Sequence, residues 1–223
     1  MNTSDGEIAE NAPASRSFLL QTGQTLVCLG DSITQNAHGY CAMIAALIAA
    51  TYPERGIRVI NAGISGHKVT DMLLRVDRDV LHHRPDWVTV SVGVNDVWHG
   101  MNTAGTGGVT LPEYRAHLDT LIQRVQSSGA QVVLLPPTVI GEDPASEGNQ
   151  LLQPYRAAVR ELAATYRVRV APTDIDLNNA LAAKVAQGGE PGKTLTTDGV
   201  HLRGPGDAIL AVAVLKALGF FAL

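Results

Sequence analysis

The 223-residue chain carries 17 Lys and Arg against 21 Asp and Glu, a formal charge of -4 with a pI of about 5.9. Its basic residues are scattered singly and aromatics make up only 4% of the chain, which argues against a nucleic-acid surface, an acidic membrane surface and a base-stacking platform. The length is ample for one sizeable core, so a single domain is the expectation.

The chain opens on "MNTSDGEIAENAPAS", polar and acidic, without the basic and apolar regions of a signal peptide. Residues 1–22 read as an arm, disordered or packed on the surface, and a cytoplasmic location is expected. From residue 23 short apolar runs alternate with segments of helical period. "TLVCLG" precedes "GYCAMIAALIAATY", "IRVINAG" precedes "VTDMLLRVDRDVL", and "DWVTVSVG" precedes "LPEYRAHLDTLIQRVQSS". "AQVVLLPPT" and "VRVAPTD" follow, each with its helix ("NQLLQPYRAAVRELAATYR", then "NNALAAKVAQ"), and "PGDAILAVAVLKALG" closes the series. Strands rich in Val, Leu and Ile on both faces require helices above and below, which predicts five parallel strands in a three-layer α/β/α sandwich over residues 23–223.

No apolar run reaches the ~18 residues of a membrane span, the nearest being broken by Lys216. Cys28 and Cys41 fit neither a CxxC nor a zinc spacing and read as reduced core residues. Long loops are expected at 98–110 and 188–203, the first holding Gly100, Gly105, Gly107 and Gly108 and suited either to a lid or to an exposed connection.

In open parallel sheets ligands bind beyond the carboxyl ends of the strands, where four groups of polar residues emerge. Ser32 follows the first strand and suits a helix N-cap or a reacting hydroxyl, while the Asp31 carboxylate suits bonds to loop amides. Gly63, in "NAGISGH", is either a turn or a bare N–H brought near a reacting atom. Asn95 and Asp96, in "SVGVNDVW", stabilise a turn, or Asn95 aims its amide at the same spot. Asp198 precedes His201 in "TTDGVHLRG", so the carboxylate can fix the imidazole tautomer and leave the other ring nitrogen to take a proton from the serine.

In this order the blocks "GDSITQ", "NAGISG", "GVND" and "DGVHL" resemble the GDSL or SGNH hydrolases, serine esterases and lipases, with Ile33 where the family name has Leu. The resemblance runs from about Thr25 to Leu218. It implies a flavodoxin-like sheet, Ser32 as nucleophile, His201 as general base, Asp198 as its orienting carboxylate, and an oxyanion hole of the Ser32 and Gly63 N–H groups with the Asn95 amide. It also implies small ester substrates and no metal or cofactor. A short acyl group is expected, acetyl on a carbohydrate included, with thioesterase or lysophospholipase chemistry as alternatives. Trp98 and His99 are candidates to line the acyl or alcohol pocket, and Asp31 is carried as a third substrate-side residue.

Other classes fit these residues less well. Asp31, Asn95, Asp96, Asp198 and His201 could form the ligand set of a metal-dependent phosphoesterase, but the bridging ligands of a two-metal site are missing. The "GISGH" around Ser65 has His67 where an α/β-hydrolase nucleophile elbow needs glycine. A binding module that lost its chemistry would not need every one of these groups. Oligomeric state is not legible.

Overall fold

The computed structural model describes residues 18–188 and 194–221. Its elements are β1 (Thr25–Gly30), α1 (Ser32–Gln35), α2 (Tyr40–Thr51), β2 (Arg58–Gly63), α3 (Val69–Asp79), β3 (Trp87–Ser91), α4 (Val94–Asn102), α5 (Leu111–Ser127), β4 (Gln131–Leu135), α6 (Glu147–Tyr166), β5 (Arg169–Val170), α7 (Thr173–Ala186) and α8 (Gly204–Ala217).

The five strands are parallel in the order β2-β1-β3-β4-β5, the flavodoxin-like winding. Alternate residues of β1 explain its unbroken apolar run. Leu26 and Cys28 join one core with α2, α7 and α8, while Val27 and Leu29 join a second core with α3, α5 and α6. Helices therefore cover both faces, giving the expected three layers.

The chain leaves β1 toward β2 on one side and returns to β3 on the other. That reversal falls at the carboxyl ends of β1 and β3, the place where open parallel sheets bind ligands. β2 departs from the expected double burial: it is an edge strand, and Arg58 and Asn61 are exposed.

Several boundaries differ from the sequence reading. Residues 94–102, assigned partly to a turn and a loop, form α4, so the connection shortens to 103–110. That stretch is fastened: Lys68 Nζ donates to the Gly107 carbonyl at 3.0 Å, and Val109 N–H donates to the Asp96 carbonyl at 2.9 Å. β5 has only two paired residues, and α7 begins at Thr173, whose hydroxyl bonds the Pro136 carbonyl at 2.9 Å.

Of the expected N-terminal arm, residues 1–17 lie outside the described residues, but Phe18 and Leu20 are buried. Phe18 stacks on Tyr52 at 5.0 Å and meets Phe220 edge-on at 5.2 Å, so residues 18–20 pack onto the core. Among the described residues no helix is long and apolar enough to cross a membrane.

Candidate active site

The site begins where β1 ends. Asp31, not Ser32, caps α1: its Oδ1 accepts the Ile33 N–H at 2.9 Å, and at 2% exposure it is closed off from solvent. This corrects the substrate-side assignment of Asp31. Burial pushes its carboxyl up to about 6, against the pull of the Ile33 N–H and of His201. With the cap supplied by its neighbour, the Ser32 hydroxyl is free for another partner.

That partner is His201, 169 positions away. Its Nε2 lies 2.9 Å from Ser32 Oγ, and its Nδ1 lies 2.6 Å from Asp198 Oδ2. The other Asp198 oxygen accepts the backbone N–H groups of Val200 at 3.0 Å and His201 at 2.8 Å, so both ends of the carboxylate are fixed. Burial raises the Asp198 carboxyl, but the bonds from His201 and Val200 outweigh it and hold the group below the usual carboxylate range. A hydroxyl, an imidazole and an ionised carboxylate in this line can pass a proton from oxygen to ring nitrogen while the carboxylate stabilises the imidazolium.

The segment carrying Asp198 and His201 is held from below by a residue the sequence did not single out. Glu142, 4% exposed, accepts the backbone N–H groups of Thr194, Leu195 and Thr196 at 2.7 to 3.0 Å and the Thr196 hydroxyl at 2.9 Å. Burial alone would raise this carboxyl; the amide donors reverse the sign and bring it down to about 2. Gly141 N–H to the Gly199 carbonyl, at 2.8 Å, ties the same two segments again. No local pattern marks such a tie, because donor and acceptor stand more than fifty positions apart.

Gly63 stands opposite Gly30 in the β1–β2 register, as expected of strand neighbours. Its N–H, however, donates to Asn61 Oδ1 at 2.9 Å, and a side chain there would collide with the α1 backbone at Gln35. Gly63 is therefore a packing glycine and not an open donor, which corrects its oxyanion-hole assignment.

The open donor of this block is Gly66, three residues on, with φ +77° and no hydrogen-bond partner for its N–H among the described residues. Its loop is pinned at Ile64 N–H to the Gly30 carbonyl, 3.1 Å, and at Ser65 N–H to Gln35 Oε1, 2.9 Å. Asn95, 3% exposed, donates one amide hydrogen to the His67 carbonyl of that loop at 3.1 Å and keeps the other free. Ser32 N–H, at the first position of α1, has no intrahelical acceptor.

Trp98 lies edge-on to the His201 ring at 6.1 Å, and His99 approaches Gly66. Both belong to α4. Asp96, on the same helix, is buried at 1% exposure, bonds Val69 N–H at 3.1 Å, and burial pushes its carboxyl up to about 7. The metal set weighed from sequence does not assemble: Asp31 and Asp96 cap backbone, Asp198 is engaged by His201, and among the described residues no three His, Cys, Asp or Glu side chains group as metal ligands.

A parallel α/β sandwich with these groups at its carboxyl edge defines the class of α/β ester hydrolases. The GDSL-like lipase/acylhydrolase family matches residues 28–209, and the chain belongs to that family of ester-hydrolysing enzymes. An acetylxylan esterase from Geobacillus stearothermophilus is 31% identical over 215 residues, 89% of this chain and 95% of the relative. The crystal structure of that organism's acetylxylan esterase Axe2 superposes with a TM-score of 0.84 at 30% identity, covering 92% of this chain and 98% of Axe2. Its catalytic mutants replace a serine, an aspartate or a histidine by alanine. LAE5, a hydrolase from the metagenome of Lake Arreo, gives a TM-score of 0.84 at 26% identity over 91% of this chain and 98% of its own. Thioesterase 1/protease 1/lysophospholipase L1 of Escherichia coli K12 is 27% identical over 158 residues, 70% of this chain and 69% of the relative.

Proposed function

We propose that this protein is a serine esterase of short-chain carboxylic esters, acetyl esters of carbohydrates foremost, working through Ser32, His201 and Asp198. The observation that carries this reading is the unbroken line from Ser32 Oγ to His201 Nε2, 2.9 Å, and from His201 Nδ1 to Asp198, 2.6 Å.

In the first step Ser32 Oγ forms a bond to the ester carbonyl carbon as its proton passes to His201 Nε2. The carbonyl oxygen becomes an oxyanion facing the Ser32 and Gly66 N–H groups and the free amide hydrogen of Asn95. Collapse breaks the bond to the alcohol oxygen, which takes the proton from Nε2, and an acyl-serine remains. Water then follows the same path: its proton goes to Nε2, its oxygen to the acyl carbon, and the serine leaves with that proton as the acid is released. Ser32 and Asn95 stand at the N-terminal ends of α1 and α4, where the partial positive charge of a helix start favours developing negative charge.

The acetyl and carbohydrate parts of the reading draw support from the acetylxylan esterase relative, whose likeness extends over nearly the whole chain. They agree with Trp98 beside the base, an aromatic able to meet the apolar face of a sugar ring. The test is a panel of p-nitrophenyl esters of graded acyl length, acetylated xylo-oligosaccharides and an acyl thioester, with Ser32→Ala as the blank. Preference for acetyl on sugar with an inert blank is the expected result. A blank that turns over at the wild-type rate ends the serine mechanism, and a preference for the thioester or for long acyl chains ends the substrate assignment.

A further inference from the structure

Arg75 stands on α3 with 5% of its surface exposed. A guanidinium keeps its charge at any ordinary pH and is retained in a protein interior only when its donors are met. Among the described residues its ion-pair partner is Asp79, at 3.2 Å from Nη1. The remaining bonds go elsewhere: Nη2 to the Gly30 carbonyl at 2.9 Å, Nη1 to the Ala62 carbonyl at 2.8 Å, and Nε to His67 Nδ1 at 2.9 Å.

Each of these acceptors lies on a segment that carries or holds a donor of the oxyanion hole. Gly30 ends β1, two residues before Ser32, and its carbonyl also receives Ile64 N–H from the Gly66 loop. Ala62 launches that loop from β2. His67 closes it, and the His67 carbonyl is the group that holds the Asn95 amide at 3.1 Å. Desolvation, followed by the Arg75 charge, holds the His67 imidazole below its ordinary pKa, which keeps Nδ1 an acceptor.

We infer that Arg75 is the positioning residue of the oxyanion hole, setting the Ser32, Gly66 and Asn95 donors together by joining the ends of β1 and β2 to the loop that leads from β2 into α3. It touches no reacting atom. It acts from a helix, the rigid part of the fold, and one planar fork reaches three acceptors that an ammonium would not span. This inference rests on the serine-esterase reading above.

The test uses R75A and R75K on an acetyl ester, with kcat, KM and the inhibition constant of a boronic acid that mimics the tetrahedral intermediate. Misplaced donors cost the transition state and not the ground state, so in folded variants kcat falls on the order of 10²-fold with KM within about threefold. The boronate constant rises by the same factor as kcat falls. Arg75 lines an open cleft of about 380 Å3, so guanidinium chloride at tens of millimolar restores turnover to R75A.

A folded R75A that keeps kcat within about threefold, loses activity through KM alone, or gains nothing from guanidinium overturns the inference. Should R75A not fold, His67→Asn and His67→Leu decide, because the asparagine oxygen replaces the Nδ1 acceptor and leucine does not. Near wild-type turnover in H67N with about tenfold loss in H67L is expected; equal turnover in the two overturns it. Ser32→Ala in the same assay separates the outcomes. Activity there sinks the esterase reading itself, whereas an inert Ser32→Ala beside unaffected Arg75 variants sinks only the role given to Arg75.

Discussion

Replacing Glu142 by glutamine tests how the histidine-bearing segment is held. The carboxylate accepts three backbone N–H groups and one hydroxyl from residues 194–196, and its pKa falls from 4.5 to about 2, which corresponds to roughly 3 kcal/mol in favour of the ionised form. An independent count agrees. Bonds to a charged acceptor are worth about 1 kcal/mol more than bonds to a neutral one, so neutralising this acceptor loses on the order of 3 to 4 kcal/mol.

Glutamine also turns an NH2 toward the Thr194 N–H that Oε2 now receives at 2.8 Å. About 3 kcal/mol is a factor near 10² in the population of the anchored segment, so kcat for an acetyl ester falls by between about 10- and 100-fold. Protease cleavage within 194–203 rises in parallel. The sign with pH follows from the depressed pKa: the contribution of Glu142 is full above its ordinary value of 4.5 and is lost as pH falls toward 2. Glu142→Gln with kcat within about twofold of wild type and unchanged proteolysis would show that Glu142 does not anchor the segment.

Two further outcomes are expected. Asn95→Ala removes a donor to the oxyanion and lowers kcat by about 10²- to 10³-fold with little change in KM, measured by steady-state kinetics; a loss confined to KM contradicts its placement. Asp96→Asn acts on stability. Its carboxyl is raised from 3.8 to about 7, so the native state holds a proton that the unfolded chain releases, and stability declines as pH rises from about 4 through 7. The neutral variant escapes up to roughly 4 kcal/mol of that decline. Thermal melts of the two proteins should converge near pH 4 and separate near pH 8, with Asp96→Asn the more stable; no divergence contradicts the buried-carboxyl account.

The parts of the molecule legible in sequence share one property, that their signal is local. The Val, Leu and Ile runs of β1, β3 and β4 and the spacing of Asp198 to His201 are written within a few consecutive residues. α4 was obscured because Gly93, Asn95 and Asp96 are turn formers, and only Asp96 bonding Val69 N–H shows that this carboxylate serves a neighbouring element. A glycine after a strand looks alike in sequence whether it clears a helix backbone, as Gly63 does, or bares an N–H, as Gly66 does; the packing of α1 decides between them. Glu142, Arg75 and Phe18 act through partners far along the chain, and such ties leave no periodicity.

The proposed activation of the Ser32 hydroxyl by His201 is read out by peptide mapping after treatment with a fluorophosphonate. The expected result is one adduct, on the peptide holding Ser32, absent from Ser32→Ala and much slower to form in His201→Ala. An adduct on another residue, or continued ester turnover with Ser32 fully modified, would contradict it.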